Sequence, residues 1–405
     1  MLDHVIRNAR LPDRTDPVGI GIVQGRIAEI GQIAADAPAF DADNRLVCAG
    51  FVETHIHLDK SAILDRCPCQ GTLSDAVASV AAAKRHFTED DVYARASRTL
   101  ERAILQGTTR IRTHVEVDPR IGLTSVRALQ RLKRDYAWAV DLELCAFPQE
   151  GLLDDPGCED VLTAALEACC DLVGGAPYID RDPHAQIARI FDLARRFDLD
   201  IDLHLDFSLD PTSLDADEVC RVTDAAGWGG RVAIGHAIKL SSLEPPRFET
   251  IARRLAASGV AVTVLPATDL FLMGRDQTHD IPRAVAPAHR LREHGVTCSI
   301  STNNVLNPFT PYGDCSLLRV ANLFANVVQI GDPAGLAGCF DMITTQAATL
   351  LRRPYGIAVG APADLVLLDC QTPSQAIAEI APVLAAYKRG RHTVERAQPR
   401  LLTPP

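Results

Sequence analysis

Two histidines, His55 and His57, close the apolar run Phe51-Val-Glu-Thr-His-Ile-His-Leu-Asp-Lys60. In a strand, alternate side chains share a face, so the pair could hold one metal ion between its rings. Neutral imidazole suits zinc or ferrous iron, and one or two further ligands would complete a catalytic site. For the pair alone the competing reading is two ordinary strand histidines. Further polar residues gather at the ends of later apolar runs. They are His114, Glu116 and Asp118; Gln149 and Glu150; His204, Asp206 and Phe207; His236; and Asn303 with Asn304. Several histidines at one end of one barrel outweigh the reading of each as a satisfied core residue.

The elements that must position these residues follow from the rhythm of the chain. Apolar runs end at His57 and recur at 109–117, 141–147, 171–176, 201–207, 231–237, 261–266 and 296–302, nearly all separated by amphipathic helical patterns. Regular strand–helix alternation means parallel strands with right-handed crossovers. Eight repeats over about 250 residues fit a (β/α)8 barrel, whose chemistry sits where strands end and loops begin. Two further helices are expected at 316–330 and 340–351. Short β-like stretches at both ends of the chain, such as Val18-Gly-Ile-Gly-Ile-Val and Ala363-Asp-Leu-Val-Leu-Leu, form a small sheet.

Composition narrows the function classes. Net charge is −11, with 52 acidic against 41 basic residues and no Lys/Arg-rich run, which argues against nucleic acid or an anionic membrane as partner. No apolar stretch is long enough for a membrane span, and Met1-Leu-Asp-His-Val-Ile lacks the order of a signal peptide. The twelve cysteines are scattered, so buried reduced thiols and a cytoplasmic location are expected. Cys67-Pro-Cys69 is the one close pair, and no second pair completes a four-ligand clip. A small-molecule substrate is the expected partner, on a homo-oligomer.

The chain resembles the cytosine deaminase branch of the amidohydrolase superfamily. The likeness is carried by Gly50-Phe-Val-Glu-Thr-His-Ile-His-Leu-Asp, Arg112-Thr-His-Val, Ala146-Phe-Pro-Gln-Glu-Gly, His204-Leu-Asp, Gly235-His236, Asn307-Pro-Phe-Thr-Pro-Tyr-Gly and Tyr355-Gly-Ile-Ala-Val-Gly-Ala-Pro-Ala-Asp-Leu-Val. It implies an α/β fold, a metal-bearing (β/α)8 TIM barrel over 49–354, flanked by a β-sandwich built from 1–48 and 355–405. It also implies His55, His57 and His204 as metal ligands, with Asn303 at the position of a fourth. His236 would polarise the attacking hydroxide or the departing oxygen, and Gln149 would bond the substrate's carbonyl or ring nitrogen. The fourth run, Asp171-Leu-Val-Gly-Gly-Ala-Pro, offers no lysine for a bridging carbamate, so one divalent ion, zinc or iron, is expected.

Two positions depart from the branch. Phe207 stands where its proton-shuttling Glu would be, and Asn303-Asn304 replace its pair of aspartates. A metal still lowers the pKa of water toward 7, but proton delivery to a leaving nitrogen suffers, and each missing acid–base group costs about 10²–10⁴ in rate. Asp206 is the first candidate substitute. Asp59 and Lys60 beyond the histidine pair, and Glu116 or Asp118 from the second run, are others that could reach the cavity or support it from behind. Phe207 and Asn304 would line a less polar substrate pocket. The expected function is a mononuclear hydrolase acting on a C–N bond of a small heterocycle, amide or amine-substituted ring. A catalytically silent small-molecule binder or partner subunit on the same barrel is the alternative, and iron-dependent oxygen chemistry a third.

Overall fold

Eight strands, hydrogen-bonded in chain order, form one parallel sheet in the structure, a computed structural model that describes residues 1–14, 16–34, 36–67, 71–397, 399 and 401–402. They are β1 (Phe51–Ile56), β2 (Thr108–Glu116), β3 (Asp141–Phe147), β4 (Leu172–Gly175), β5 (Asp200–Leu205), β6 (Val232–His236), β7 (Val260–Val264) and β8 (Cys298–Ile300). The strands are almost wholly buried on both faces, as a parallel sheet wrapped in helices requires. The barrel closes just beyond β8. His57 donates its backbone N–H to the Asn303 carbonyl at 2.9 Å, and Asn303 donates its own to the His55 carbonyl at 2.8 Å. This seam puts Asn303 against the histidine pair.

The helices pack an aliphatic shell around the sheet. Glu89–Leu105 shows the logic: Thr88 caps its N-terminus by accepting from the Asp91 N–H, three acidic residues fill its first turn, and Val92, Ala96, Leu100 and Ala103 form its buried stripe. Two expectations are corrected. The seventh run ends as strand at Val264, and Pro266–Leu272 is a helix with proline in its first turn. The single helix expected at 340–351 is two, Pro333–Asp341 and Thr345–Leu350.

Outside the barrel lie two four-stranded sheets. One is made of Arg26–Gly31, Val18–Val23, His4–Ala9 and Ala39–Asp41, the other of Arg391–Glu395, Val383–Lys388, Leu365–Leu368 and Leu46–Ala49, so the second draws on both ends of the chain. Ile6, Ile20, Ile22, Val47, Leu365, Leu367 and Tyr387 share one apolar core across them. The eleven described cysteines are unpaired and all but Cys169 are buried; Cys69 lies outside the described residues.

Candidate metal centre and pocket

The histidine pair faces the barrel axis because β1 is bulged. Val52 packs with Ala233 of β6 and Ala261 of β7, and the Thr54 hydroxyl bonds Ser299 and Ser301 at 2.8 and 2.6 Å, so residues 52 and 54 point inward. Strict alternation would then send His55 and His57 outward. Instead the register with β2 slips between Glu53 and Ile56, where three residues oppose two. The slip turns both imidazoles in, a common device beside active sites. The buried Glu53 carboxylate braces it, accepting from the N–H groups of Thr302 (3.1 Å) and His55 (3.3 Å).

Across the barrel, His204 of β5 meets both rings. Its Nε2 lies 3.2 Å from that of His55 and 3.1 Å from that of His57. Burial and neighbouring cationic groups hold all three imidazoles neutral, with His55 pushed down to about 3. Three buried lone-pair nitrogens so close fit a cation better than each other. Bonds of about 2.0–2.1 Å at tetrahedral angles put such nitrogens roughly 3.3 Å apart. The Asn303 Oδ1 atom is buried and has no hydrogen-bond partner among the described residues. Beneath this group Asp202 lies 3.8 Å from His55 Nδ1 and 3.5 Å from His114 Nε2, and it is bonded by Arg112 at 2.9 Å. Burial opposes its charge, yet His114, His55 and Arg112 hold its carboxyl well below the usual range. His114 stacks on His55 with ring centres 3.8 Å apart.

Gly235 allows this packing. A Cβ there would sit 3.0 Å from His55 Cε1 and 3.2 Å from its Nδ1. Gly235→Ala is expected to tilt His55 and weaken metal affinity about 10–100-fold, the size of effect seen when a ligand loses its support. Competition against a chromophoric chelator measures this, with circular dichroism confirming an intact barrel; unchanged affinity would contradict the stated role of Gly235.

A small pocket opens beside the rings of His57 and His204, and no described residue lining it is a carboxylate. His236, at the end of β6 with φ of +69°, is on its wall, and its Nδ1 lies 2.6 Å from the Asp269 carboxylate. Phe207 meets His236 edge-on with ring centres 4.5 Å apart and, with Tyr178 and Leu272, makes one side of the pocket apolar. Gln149, Asn303 and Asn304 are on the wall as well. Asp206 is the correction among the candidates: it is not on the wall. Its φ of +52° turns the buried carboxylate to accept the backbone N–H groups of Asp215 (3.0 Å) and Ala216 (3.1 Å), at the start of helix Asp215–Ala226. That is a helix-anchoring task.

Sequence reasoning missed Asp269 and did not settle the places of Asp202 and Lys60. Asp269 sits in the helix that replaces the end of the seventh run; a proline opening a helix with an acid three residues on was its signal. Asp202 shares the face of His204 at period two and was legible there. Lys60, one of the groups expected near the cavity, has its buried ammonium on the wall, 2.6 Å from Glu116 and 3.0 Å from Gln149 Oε1. Nothing in its spacing told it from a solvated lysine.

The geometry can be set beside known proteins. Residues 133–395 match the model of the amidohydrolase family. The chain is 27% identical to the N-isopropylammelide isopropyl amidohydrolase of Pseudomonas sp. (strain ADP), over 97% of each chain. It is 27% identical to the pterin deaminase of Rhizobium rhizogenes (strain K84 / ATCC BAA-868), over 94% of this chain and 88% of that one. Among solved structures it superposes on the 5-methylcytosine deaminase of Klebsiella pneumoniae liganded with 5-fluorocytosine with a TM-score of 0.94, at 28% identity over 98% of this chain and 99% of that one. With that match and the barrel geometry together, the chain belongs to the amidohydrolase family, in its cytosine deaminase-like branch.

Proposed function

We propose that this protein hydrolyses a C–N bond of a small N-heterocycle, with one divalent cation, zinc or ferrous iron, held by His55, His57, His204 and the Asn303 carboxamide oxygen. The observation that carries the reading is the meeting of three neutral Nε2 atoms beneath a pocket that also holds a carboxylate-backed imidazole. The relatives' names support it, since they describe amidohydrolase and deaminase activities on ring compounds. When bound, the cation supplies Lewis acidity and lowers the pKa of water toward 7.

The chain's own residues handle protons by an altered route. Phe207 and Asn303 can neither accept nor donate at neutral pH as carboxyl groups do, and among the described residues no carboxylate lines the pocket. His236 is therefore the base that takes a proton from water and returns it to the departing nitrogen. The Asp269 carboxylate, 2.6 Å from Nδ1, accepts from that nitrogen and fixes the ring with Nε2 toward the pocket. Phe207, Tyr178 and Leu272 exclude water on that side.

Turnover of an amino-substituted heterocycle that chelation abolishes and zinc or iron restores is the expected result. A silent binder is the second reading, favoured by the carboxylate-free wall. Asn303→Asp with Phe207→Glu separates the two. If the protein is silent, the double variant gains a deaminase activity that the wild type lacks. A wild type that already turns over a substrate excludes silence.

A further inference from the structure

A cavity of about 440 Å³ opens at the N-terminal ends of β2 and β3, the end of the barrel opposite the metal centre. Its walls are partly apolar, with Ile111, Val140, Leu142, Leu351 and Pro354, and partly charged. Most of that charge is matched. Lys133 bonds Asp171 at 2.7 Å, and Arg353 bonds Glu143 at 2.8 Å. Arg112, behind the wall, is shared between Glu143 (3.3 Å) and Asp202 (2.9 Å). The remaining group does not balance, because Asp141 and Asp364 face three cations. Lys388 lies 2.7 Å from Asp141 and 2.8 Å from Asp364. Arg389 takes the other Asp141 oxygen at 2.5 Å and donates its backbone N–H to Asp364 at 2.7 Å. The third cation is Arg110, left with Asp141 at 4.0 Å, beyond hydrogen-bond reach. Its side chain is only 13% exposed and lines the cavity, yet it makes no hydrogen bond among the described residues. A guanidinium cannot shed its charge when buried, so its donors call for an acceptor from the cavity side.

We propose that this cavity is a second binding site, apart from the metal centre, for a small monocarboxylate with an apolar body, its carboxylate paired to Arg110. One unmatched cation selects a single negative charge. A phosphate dianion would bring surplus charge beside Asp141, Glu143 and Asp171. The planar guanidinium fork fits the two oxygens of a carboxylate. Asp141 cannot fill that role, since Lys388 and Arg389 already hold both of its oxygens. The aliphatic wall gives a hydrocarbon or aryl body a surface to bury. The site stands whether or not the hydrolase reading does.

Ligand-observed NMR titration of the metal-loaded protein tests this with hexanoate, 1-hexanol and inorganic phosphate as probes. Hexanoate is expected to bind at least about tenfold more tightly than 1-hexanol, since a hydrogen bond to a charged group is worth at least that factor. Phosphate should bind more weakly than hexanoate. Arg110→Met should erase the hexanoate preference while 1-hexanol stays within about threefold. Asp141 keeps Lys388 and Arg389 in that variant, so no carboxylate is stranded. Ala137→Phe, at an exposed position of the cavity wall, should weaken hexanoate and 1-hexanol alike, and serves if Arg110→Met does not fold. Removing the metal by chelation should leave hexanoate binding unchanged. Hexanoate no tighter than 1-hexanol, or phosphate as tight as hexanoate, overturns the site. So does a preference that survives Arg110→Met, or hexanoate binding undiminished in Ala137→Phe. A preference that disappears with the metal overturns it too, because the carboxylate would then sit on the cation at the other end of the barrel.

Discussion

His236→Ala lowers kcat by about 10²–10⁴ while leaving metal content unchanged, the loss expected of one positioned acid–base group. The size follows from the pocket's inventory. With no carboxylate on the wall, the imidazole backed by Asp269 is the group suited to carry a proton between water and the leaving nitrogen. His236 Nδ1 is occupied by Asp269 at 2.6 Å, which excludes that atom from the metal site. Asp269→Asn keeps the shape of the dyad but frees the tautomer, so it should lower kcat as well, by less, with KM little changed. A fall confined to KM would mean that His236 binds substrate uniformly and moves no proton.

Lys84→Met has the largest expected effect on stability, a loss of about 3–5 kcal/mol, because it strands buried carboxylates. The Lys84 ammonium is 2% exposed and lies 2.8 Å from Glu116, 2.5 Å from Asp118 and 2.6 Å from Glu150. Burial opposes its charge, but the three acids together hold its pKa above the ordinary lysine value. Burial opposes the charges of Glu116 and Asp118 too, but Lys60 and Lys84 pull the Glu116 carboxyl, and Lys84 the Asp118 carboxyl, below their usual values; burial and Glu116 push Glu150 up to about 8. The signs therefore differ. Glu116 and Asp118 stabilise the fold above the ordinary carboxylate pKa of about 4, whereas the Glu150 contribution is present at acid pH and lost as pH rises through about 8. Without Lys84 all three behave like Glu150. The deficit should be small near pH 5 and full near pH 8, read by urea denaturation of both proteins with the same metal loading. A deficit independent of pH would mean lost packing, not stranded charge. Glu116 also holds Lys60, so this variant should weaken the pocket as well as the fold.

Much of this architecture was legible in the sequence, and the gaps have physical causes. Parallel strands buried on both faces leave unmistakable apolar runs, so all eight were found, with errors at their ends. The end errors mattered most where strands give way to loops. Carrying the seventh run through Pro266 hid the helix that bears Asp269. Asp206 stands two residues beyond His204, but β5 stops at Leu205 and the backbone enters the left-handed region at once, so period two does not extend to it. The histidine pair was found for a reason that was only half right. Period two keeps His55 and His57 on one face, yet the bulge after Glu53 decides that this face is the inner one. A bulge leaves no mark in residue type. Nor does a buried network: the positions of Lys60, Glu116 and Glu150 at strand ends do not show that they share charges with Lys84 until the fold packs them together.

Metal analysis of the purified protein, paired with turnover before and after chelation, tests the central claim most directly. The convergence of His55, His57 and His204 predicts about one equivalent of zinc or iron per chain, its loss in His204→Ala, and activity that falls with the metal and returns with it. A protein that holds no metal and gains no activity from zinc or iron would contradict the account.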